Sequence, residues 1–206
     1  MTWIKICGIT NLEDAMEAAS LGVEALGFIF ALSPRRITPP AAREIIRSLP
    51  LSVLKIGVFV NEEIAEVRRI ADDCNLHGLQ FHGQESPEYC QEFSLPVIKT
   101  IAVRSVDRLM EMEKYSSVSI LLDTWSADRA GGTGKTFCWE WAGEVREKRA
   151  LILSGGLNPM NVSQAIKTLR PIGVDVCSGV EQIPGKKDLL KMIAFVKEVR
   201  RTDAST

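Results

Sequence analysis

Cys7, Asp123, Asp175, His82 and the adjacent Arg35 and Arg36 are the side chains of this 206-residue sequence with which acid–base chemistry could be done. A thiolate and a carboxyl group can supply the base and the acid that move a proton beside a carbonyl or an imine. Cys7 would need a lowered pKa for that work. Lys5, two residues back on the same strand face and about 7 Å away, is the cation that would lower it. Asp123 would serve as the acid if partial burial raised its pKa. With two histidines in the chain and no Cys or His at zinc-ligand spacing, metal catalysis is disfavoured. No dinucleotide fingerprint with its acidic ribose partner occurs either. The residue types point to isomerisation or lyase chemistry on a sugar phosphate, with no cofactor and no metal.

The phosphate is suggested by two glycine turns. Ser154-Gly155-Gly156-Leu157-Asn158-Pro159 follows one apolar run, and Cys177-Ser178-Gly179-Val180-Glu181 follows the next. Glycine lets backbone N–H groups approach an anion closely, and a helix start adds partial positive charge. A third glycine run, Gly131-Gly132-Thr133-Gly134-Lys135-Thr136, lacks the four-residue spacer of a nucleotide-triphosphate loop. It sits in a connection of about a dozen residues after Asp123, a length typical of lids, and is expected to cover the site.

Eight short apolar runs must position these groups: near 3–9, 24–30, 53–60, 76–82, 96–102, 118–123, 150–154 and 172–177. They alternate with helix-like spacing. Asn11, Thr38-Pro39-Pro40, Asn61-Glu62-Glu63, Ser86-Pro87 and Asn158-Pro159 are expected to open helices, and the basic stretch Lys197 to Arg201 suits a helix end. Eight units at about 26 residues each favour a single-domain α/β chain, residues 1–206, folded as a (β/α)8 (TIM) barrel over an open doubly wound sheet. Strand parity separates Ile4 and Ile6 from Lys5 and Cys7, Leu79 and Phe81 from Gln80 and His82, and Val174 and Val176 from Asp175 and Cys177. In a barrel the polar parity faces inward and converges at the C-terminal mouth. The turns after strands seven and eight are where this fold binds phosphate.

Composition sets the remaining bounds. Twenty-five basic residues stand against 26 acidic ones, which argues against a dominant nucleic-acid or anionic-membrane partner. No apolar run approaches the roughly 20 residues that span a bilayer, and the N-terminus lacks the zones of a signal peptide. Five cysteines (Cys7, Cys74, Cys90, Cys138, Cys177), odd in number and without paired spacing, read as reduced thiols of a cytoplasmic protein.

The segments KICGIT at 5–10, GFIF at 27–30, QFHG at 80–83, LLD at 121–123, GGTGKTF at 131–137, SGGLNP at 154–159, VDVCSGVE at 174–181 and PGKKD at 184–188 closely resemble, in order, the phosphoribosylanthranilate isomerase family of tryptophan synthesis. The resemblance implies a (β/α)8 barrel that performs an Amadori rearrangement. N-(5-phosphoribosyl)anthranilate would become 1-(2-carboxyphenylamino)-1-deoxyribulose 5-phosphate, without a cofactor, in a monomer or homodimer. It implies Cys7 as the base that removes the C2 proton and Asp123 as the acid that opens the ribose ring. Phosphate would rest on Gly155, Gly156, Ser178 and Gly179. The family's serine-any-arginine pattern falls on Ser33-Pro34-Arg35 and assigns the anthranilate carboxylate to Arg35, with Arg36 the adjacent alternative. His82 and Asp175 are implied as substrate contacts.

Three departures accompany the match. Cys177 stands where the family often has serine, Cys138-Trp139 where Asp-Trp commonly follows phenylalanine, and 125–130 in the lid has no counterpart motif. Two other readings compete. A related sugar-phosphate barrel, such as the isomerase of histidine synthesis, would be expected to use two aspartates, against which Cys7 speaks. A non-catalytic phospho-ligand binding barrel would hold Cys7 as a packed core thiol, and a turnover assay separates it.

Overall fold

The computed structural model describes residues 1–103, 105, 109–124 and 150–205. The elements follow in chain order as β1 (Trp3–Cys7), α1 (Leu12–Ser20), β2 (Ala25–Ile29), α2 (Pro39–Ser48), β3 (Leu54–Phe59), α3 (Ile64–Cys74), β4 (Gly78–Phe81), α4 (Pro87–Gln91), β5 (Val97–Val103), β6 (Ser119–Thr124), β7 (Leu151–Leu153), α5 (Val162–Leu169) and β8 (Gly173–Val176). A small antiparallel pair, β9 (Glu181–Ile183) and β10 (Lys186–Lys187), precedes the last helix, α6 (Leu189–Asp203). Strands β1 to β8 are parallel and close into a barrel in chain order, β8 returning to β1 with Lys5 opposite Asp175. The eight runs read from the sequence coincide with the eight strands to within two residues at either end; β5 and β6 each run one residue past the expected end, at Val103 and Thr124. The segment 131–136, expected to be a lid, and Cys138-Trp139 lie outside the described residues.

Period-two alternation divides the core in two. Ile4, Ile6, Leu79, Phe81, Val174 and Val176 are buried in the large layer between strands and helices. The opposite parity fills the barrel. Ala25, Ile56, Ile98, Leu121 and Ile152, with Trp3 against them, form a separate apolar cluster. Two residues further along each strand, on the same face, stand Gly27, Val58, Thr100, Asp123 and Ser154. The barrel is therefore apolar toward its base and polar at its C-terminal end, where barrel active sites sit.

Local signals set most helix starts. The Asn11 side chain accepts from Asp14 N, and Ser86 accepts from Tyr89 N ahead of Pro87. Thr38 precedes Pro39 and Pro40 without a side-chain cap bond. Two expected starts are displaced. Asn61 is left-handed (φ 49°) and its carboxamide accepts from Gln84 N, so α3 begins after Glu63 instead. Asn158-Pro159 forms a turn whose backbone is held by Asn161, and α5 begins after that residue. In both places a long-range or loop bond outbids the helix cap. Among the described residues no helix is long and apolar enough to cross a membrane.

Candidate active site at the barrel mouth

A cavity opens at the C-terminal end of the barrel. It encloses about 770 Å3, counting its open mouth, a size suited to a small-molecule ligand. Cys7, His82, Asp123, Asp175 and Arg35 all line it, as do Gly155, Gly156 and Ser178. The structure thus brings together the residues singled out from the sequence apart from Gly179, which packs behind the mouth on the Leu157 carbonyl, and it separates the two arginines. Arg35 is buried against the cavity, whereas Arg36 is exposed, with its backbone bridged to Ile29 and its N–H donating to the Ser33 carbonyl.

Asp123 ends the inward face of β6. One carboxylate oxygen, Oδ1, accepts from the N–H of Thr124 at 2.8 Å, and Oδ2 lies 3.1 Å from His82 Nε2 at the tip of β4. Burial disfavours the imidazolium of His82, but the Asp123 carboxylate more than offsets this and raises its pKa above the usual 6.5. The peptide carrying His82 is clamped from behind. Buried Lys99 bonds both Gly83 O (2.8 Å) and Glu85 Oε2 (2.6 Å), while Glu85 accepts from the N–H groups of Gly83 and Asn61.

Beneath Cys7, the Lys5 ammonium is fully buried and meets Asp175 Oδ1 at 2.9 Å across the β1–β8 seam. Burial opposes its charge, yet Asp175 and Cys7 hold it above the ordinary lysine range. This cation was expected to lower Cys7, and it does pull that way. The outcome is nonetheless the reverse. A hydrogen bond to Cys177, together with burial, pushes Cys7 well up. Its partner moves the other way: the hydrogen bond from Cys7, helped by Lys187 and Arg35, brings Cys177 down to about 7 against its own burial. The two thiols act as one unit in which Cys177 gives up its proton more readily than a free thiol and Cys7 holds on to its own.

Sequence reasoning passed over the residues that organise this side of the mouth. Glu181 grips Arg35 with both oxygens, at 2.8 Å from Nε and 2.7 Å from Nη2, and also meets Lys187 Nζ at 3.0 Å. Burial would raise the Glu181 pKa, but these two cations hold it below the usual carboxylate value. Lys187 in turn donates to the carbonyls of Cys7 (2.6 Å) and Cys177 (3.2 Å). It ties the ends of β1 and β8 together. The signal was available: a buried arginine beside a barrel mouth demands a carboxylate, and Glu181 lies within a quoted motif. Gln80 is a second omission. It is buried in the cavity wall, and its Oε1 has no hydrogen-bond partner among the described residues.

The two glycine turns meet at the other side of the mouth. Gly155 and Gly156 have positive φ, 83° and 68°. The carboxamides of Asn158 and Asn161 both donate to the Gly156 carbonyl (3.3 and 3.0 Å), which fixes the orientation of the turn. Among the described residues none offers a backbone acceptor to the N–H groups of Gly155 and Gly156. Gly179 lies so close to the Leu157 carbonyl that no side chain fits there, so the two turns nest against each other. Unpaired N–H groups beside a nest of glycines make an anion site.

Comparison with known proteins agrees with the barrel fold. The family model described as N-(5'phosphoribosyl)anthranilate (PRA) isomerase matches residues 4–198. The curated N-(5'-phosphoribosyl)anthranilate isomerase of Desulforudis audaxviator is 50% identical over 202 residues, covering 97% of this chain and 98% of that protein. The phosphoribosyl anthranilate isomerase structure from Thermotoga maritima superposes with a TM-score of 0.93 at 43% identity, covering 98% of this chain and 100% of the other. A further solved isomerase, in complex with reduced 1-(o-carboxyphenylamino)-1-deoxyribulose 5-phosphate, has a TM-score of 0.90 at 41% identity, over 98% and 100% of the two chains. Matched at this identity along nearly its whole length, the chain belongs to the phosphoribosylanthranilate isomerase family.

Proposed function

We propose that this isomerase of tryptophan biosynthesis converts N-(5-phosphoribosyl)anthranilate to 1-(2-carboxyphenylamino)-1-deoxyribulose 5-phosphate with Asp123 as general acid and Cys7 as general base. The observation that carries the reading is the shared cavity. Cys7 on β1 and Asp123 on β6 line the same mouth three strands apart, with the glycine turns of β7 and β8 between them and Arg35 at the rim. The phosphate of the substrate rests on Gly155, Gly156, Ser178 and Gly179. Its carboxylate meets Arg35 through Nη1, the nitrogen that Glu181 does not engage.

Asp123 delivers a proton to the ring oxygen, the C1–O bond opens, and the anilino nitrogen becomes part of a Schiff base. That cation acidifies the C2 proton. Cys7 removes it, the electrons move into the C1–C2 bond, and an enolamine forms that tautomerises to the ketose. His82 sits behind Asp123 as a proton-sharing partner, and Lys5 beside Cys7 steadies the thiolate. In the resting pair the negative charge is held on Cys177, and the Cys7 proton passes to that sulfur to free the Cys7 thiolate that takes the C2 proton. Asp175 balances Lys5 and offers its second oxygen to a substrate hydroxyl.

The test is the decay of anthranilate fluorescence when freshly made substrate meets the purified protein, with Cys7→Ser and Asp123→Asn alongside. Both variants should lose kcat by at least about a hundredfold while still binding the reduced product analogue. Binding of the analogue without turnover by the unaltered chain would instead favour the phospho-ligand binding barrel.

A further inference from the structure

Cys177 has no assigned task in the rearrangement beyond sharing a proton, and its position at the mouth exposes it to a second chemistry. In the β1–β8 seam Ile6 pairs with Val176, so the next residues, Cys7 and Cys177, stand opposite each other at the two strand ends. Neighbouring parallel strands lie about 4.8 Å apart, inside the range of roughly 4.4–6.8 Å between Cα atoms that a disulfide needs. Both side chains line the same cavity. Room for closure is provided by Gly8: a methyl group there would stand 3.0 Å from Cys177 Sγ and 2.9 Å from Arg35 Cδ. Cys177 lies just past the last residue of β8, and Lys187 bonds both cysteine carbonyls, which keeps the two strand ends in register.

We infer that Cys7 and Cys177 form an oxidation site, closed to a disulfide by a peroxide and reopened by a dithiol reductant, that switches the isomerase off. Cys177 is the attacking sulfur. It is the more accessible of the two, and hydrogen bonding from Cys7 with Lys187 and Arg35 nearby favours its thiolate near neutrality. Its lone pair attacks one oxygen of hydrogen peroxide, the O–O bond breaks, and a sulfenic acid and hydroxide result. Cys7 then attacks the sulfenyl sulfur, the S–O bond breaks, the S–S bond forms, and the Cys7 proton leaves with the departing oxygen as water. Two sulfurs supply the two electrons, and the hydroxide of the first step takes a proton from solvent. Cys74 and Cys90 are buried in the layer between barrel and helices and have no such partner among the described cysteines.

Loss of turnover on closure rests on Cys7 being the base; formation of the disulfide does not. The experiment therefore reads both. The full chain and Cys177→Ser are exposed to hydrogen peroxide, then followed by intact mass, by non-reducing peptide mapping and by activity relative to each protein's own starting rate. The unaltered chain should become lighter by two hydrogens and yield a peptide pair linked through Cys7 and Cys177. Its activity should fall in step and return with dithiothreitol. Cys177→Ser should form no linked pair and lose activity about tenfold more slowly. Equal rates of inactivation in the two proteins, or oxidation of Cys177 to sulfinic acid without a linked pair, would overturn the inference. A linked pair that leaves turnover intact would support the oxidation site and overturn Cys7 as the base.

Discussion

Gly155→Ala is the substitution through which the coupling of the phosphate turn to the acid can be measured. Gly155 has φ of 83°, and a methyl group there would fall inside van der Waals contact of Thr124 N and Oγ1 and stand 2.8 Å from Asp123 Oδ1. Gly22, at the end of α1, supplies the control: its φ is 73°, and nothing lies within 4 Å of the same added methyl. The left-handed backbone costs an alanine about 1–2 kcal/mol at either site. Overpacking adds roughly 1–3 kcal/mol at Gly155 alone. Gly22→Ala should therefore lose about 1–2 kcal/mol and Gly155→Ala about 2–5 kcal/mol, where each kcal/mol lowers the Tm of a chain this size by about 2–4 °C. The difference between the two is the steric component.

The functional consequence follows from where the methyl lands. Thr124 N holds Asp123 Oδ1 at 2.8 Å, so a displaced Thr124 peptide turns the carboxyl that opens the ring. A misplacement of an ångström can remove about two orders of magnitude in rate. Gly155→Ala should lower kcat by about ten- to a hundredfold in the fluorescence assay, and Gly22→Ala should leave it unchanged. Urea unfolding with an unaltered m-value, together with steady-state kinetics, reads both effects. Equal destabilisation of the two variants with kcat intact in Gly155→Ala would refute the reasoning.

Arg35→Ala should raise KM by about tenfold or more through loss of a charge-assisted contact, while Arg36→Ala, at an exposed position, should change neither parameter; the reverse pattern would place the carboxylate site one residue along. Asp175→Ala should cost about 3–5 kcal/mol in urea unfolding because it strands the Lys5 ammonium in the barrel, and adding Lys5→Met should recover much of that loss; no recovery would mean the pair is not the source. His82 has a pKa raised above 6.5 by Asp123 despite its burial. The stabilisation from that pair is full below about 6.5 and is lost as the pH rises through the raised value. His82→Gln should therefore destabilise the protein more at pH 6 than at pH 9, and an equal effect at both would show that His82 is not charged in the fold.

How much of this was legible beforehand depended on the range of the interaction. Strand parity is local, and it placed Lys5, Cys7, His82 and Asp175 inside the barrel before any contact was known. The caps at Asn11 and Ser86 are local too, and they hold. Asn61 reads as a cap in its own neighbourhood. Yet its backbone N–H is claimed by Glu85, 24 residues away, and its side chain by Gln84. The Glu181 clamp on Arg35 joins residues 146 apart. No spacing rule reports such a pair, although the cost of an unpaired buried guanidinium announces that some carboxylate must be there.

The state of Cys7 shows why residue types name a base more readily than they describe it. Lys5 is a real cation at the expected place, and considered alone it would make Cys7 a ready thiolate. The fold adds a second thiol from the opposite end of the chain, with Lys187 and Arg35 beside it. Those cations draw the negative charge toward Cys177, while Lys5 draws it toward Cys7 and Asp175 opposes it there. A serine at 177 could donate a hydrogen bond to Cys7 but could not accept its proton near neutrality, since a hydroxyl is far less acidic than a thiol. The cysteine converts a hydrogen-bonded base into a pair that shares a proton. The same exchange of oxygen for sulfur that lets position 177 hold the charge also makes it oxidisable, so proton sharing and rapid peroxide inactivation have one physical origin and should decline together in Cys177→Ser.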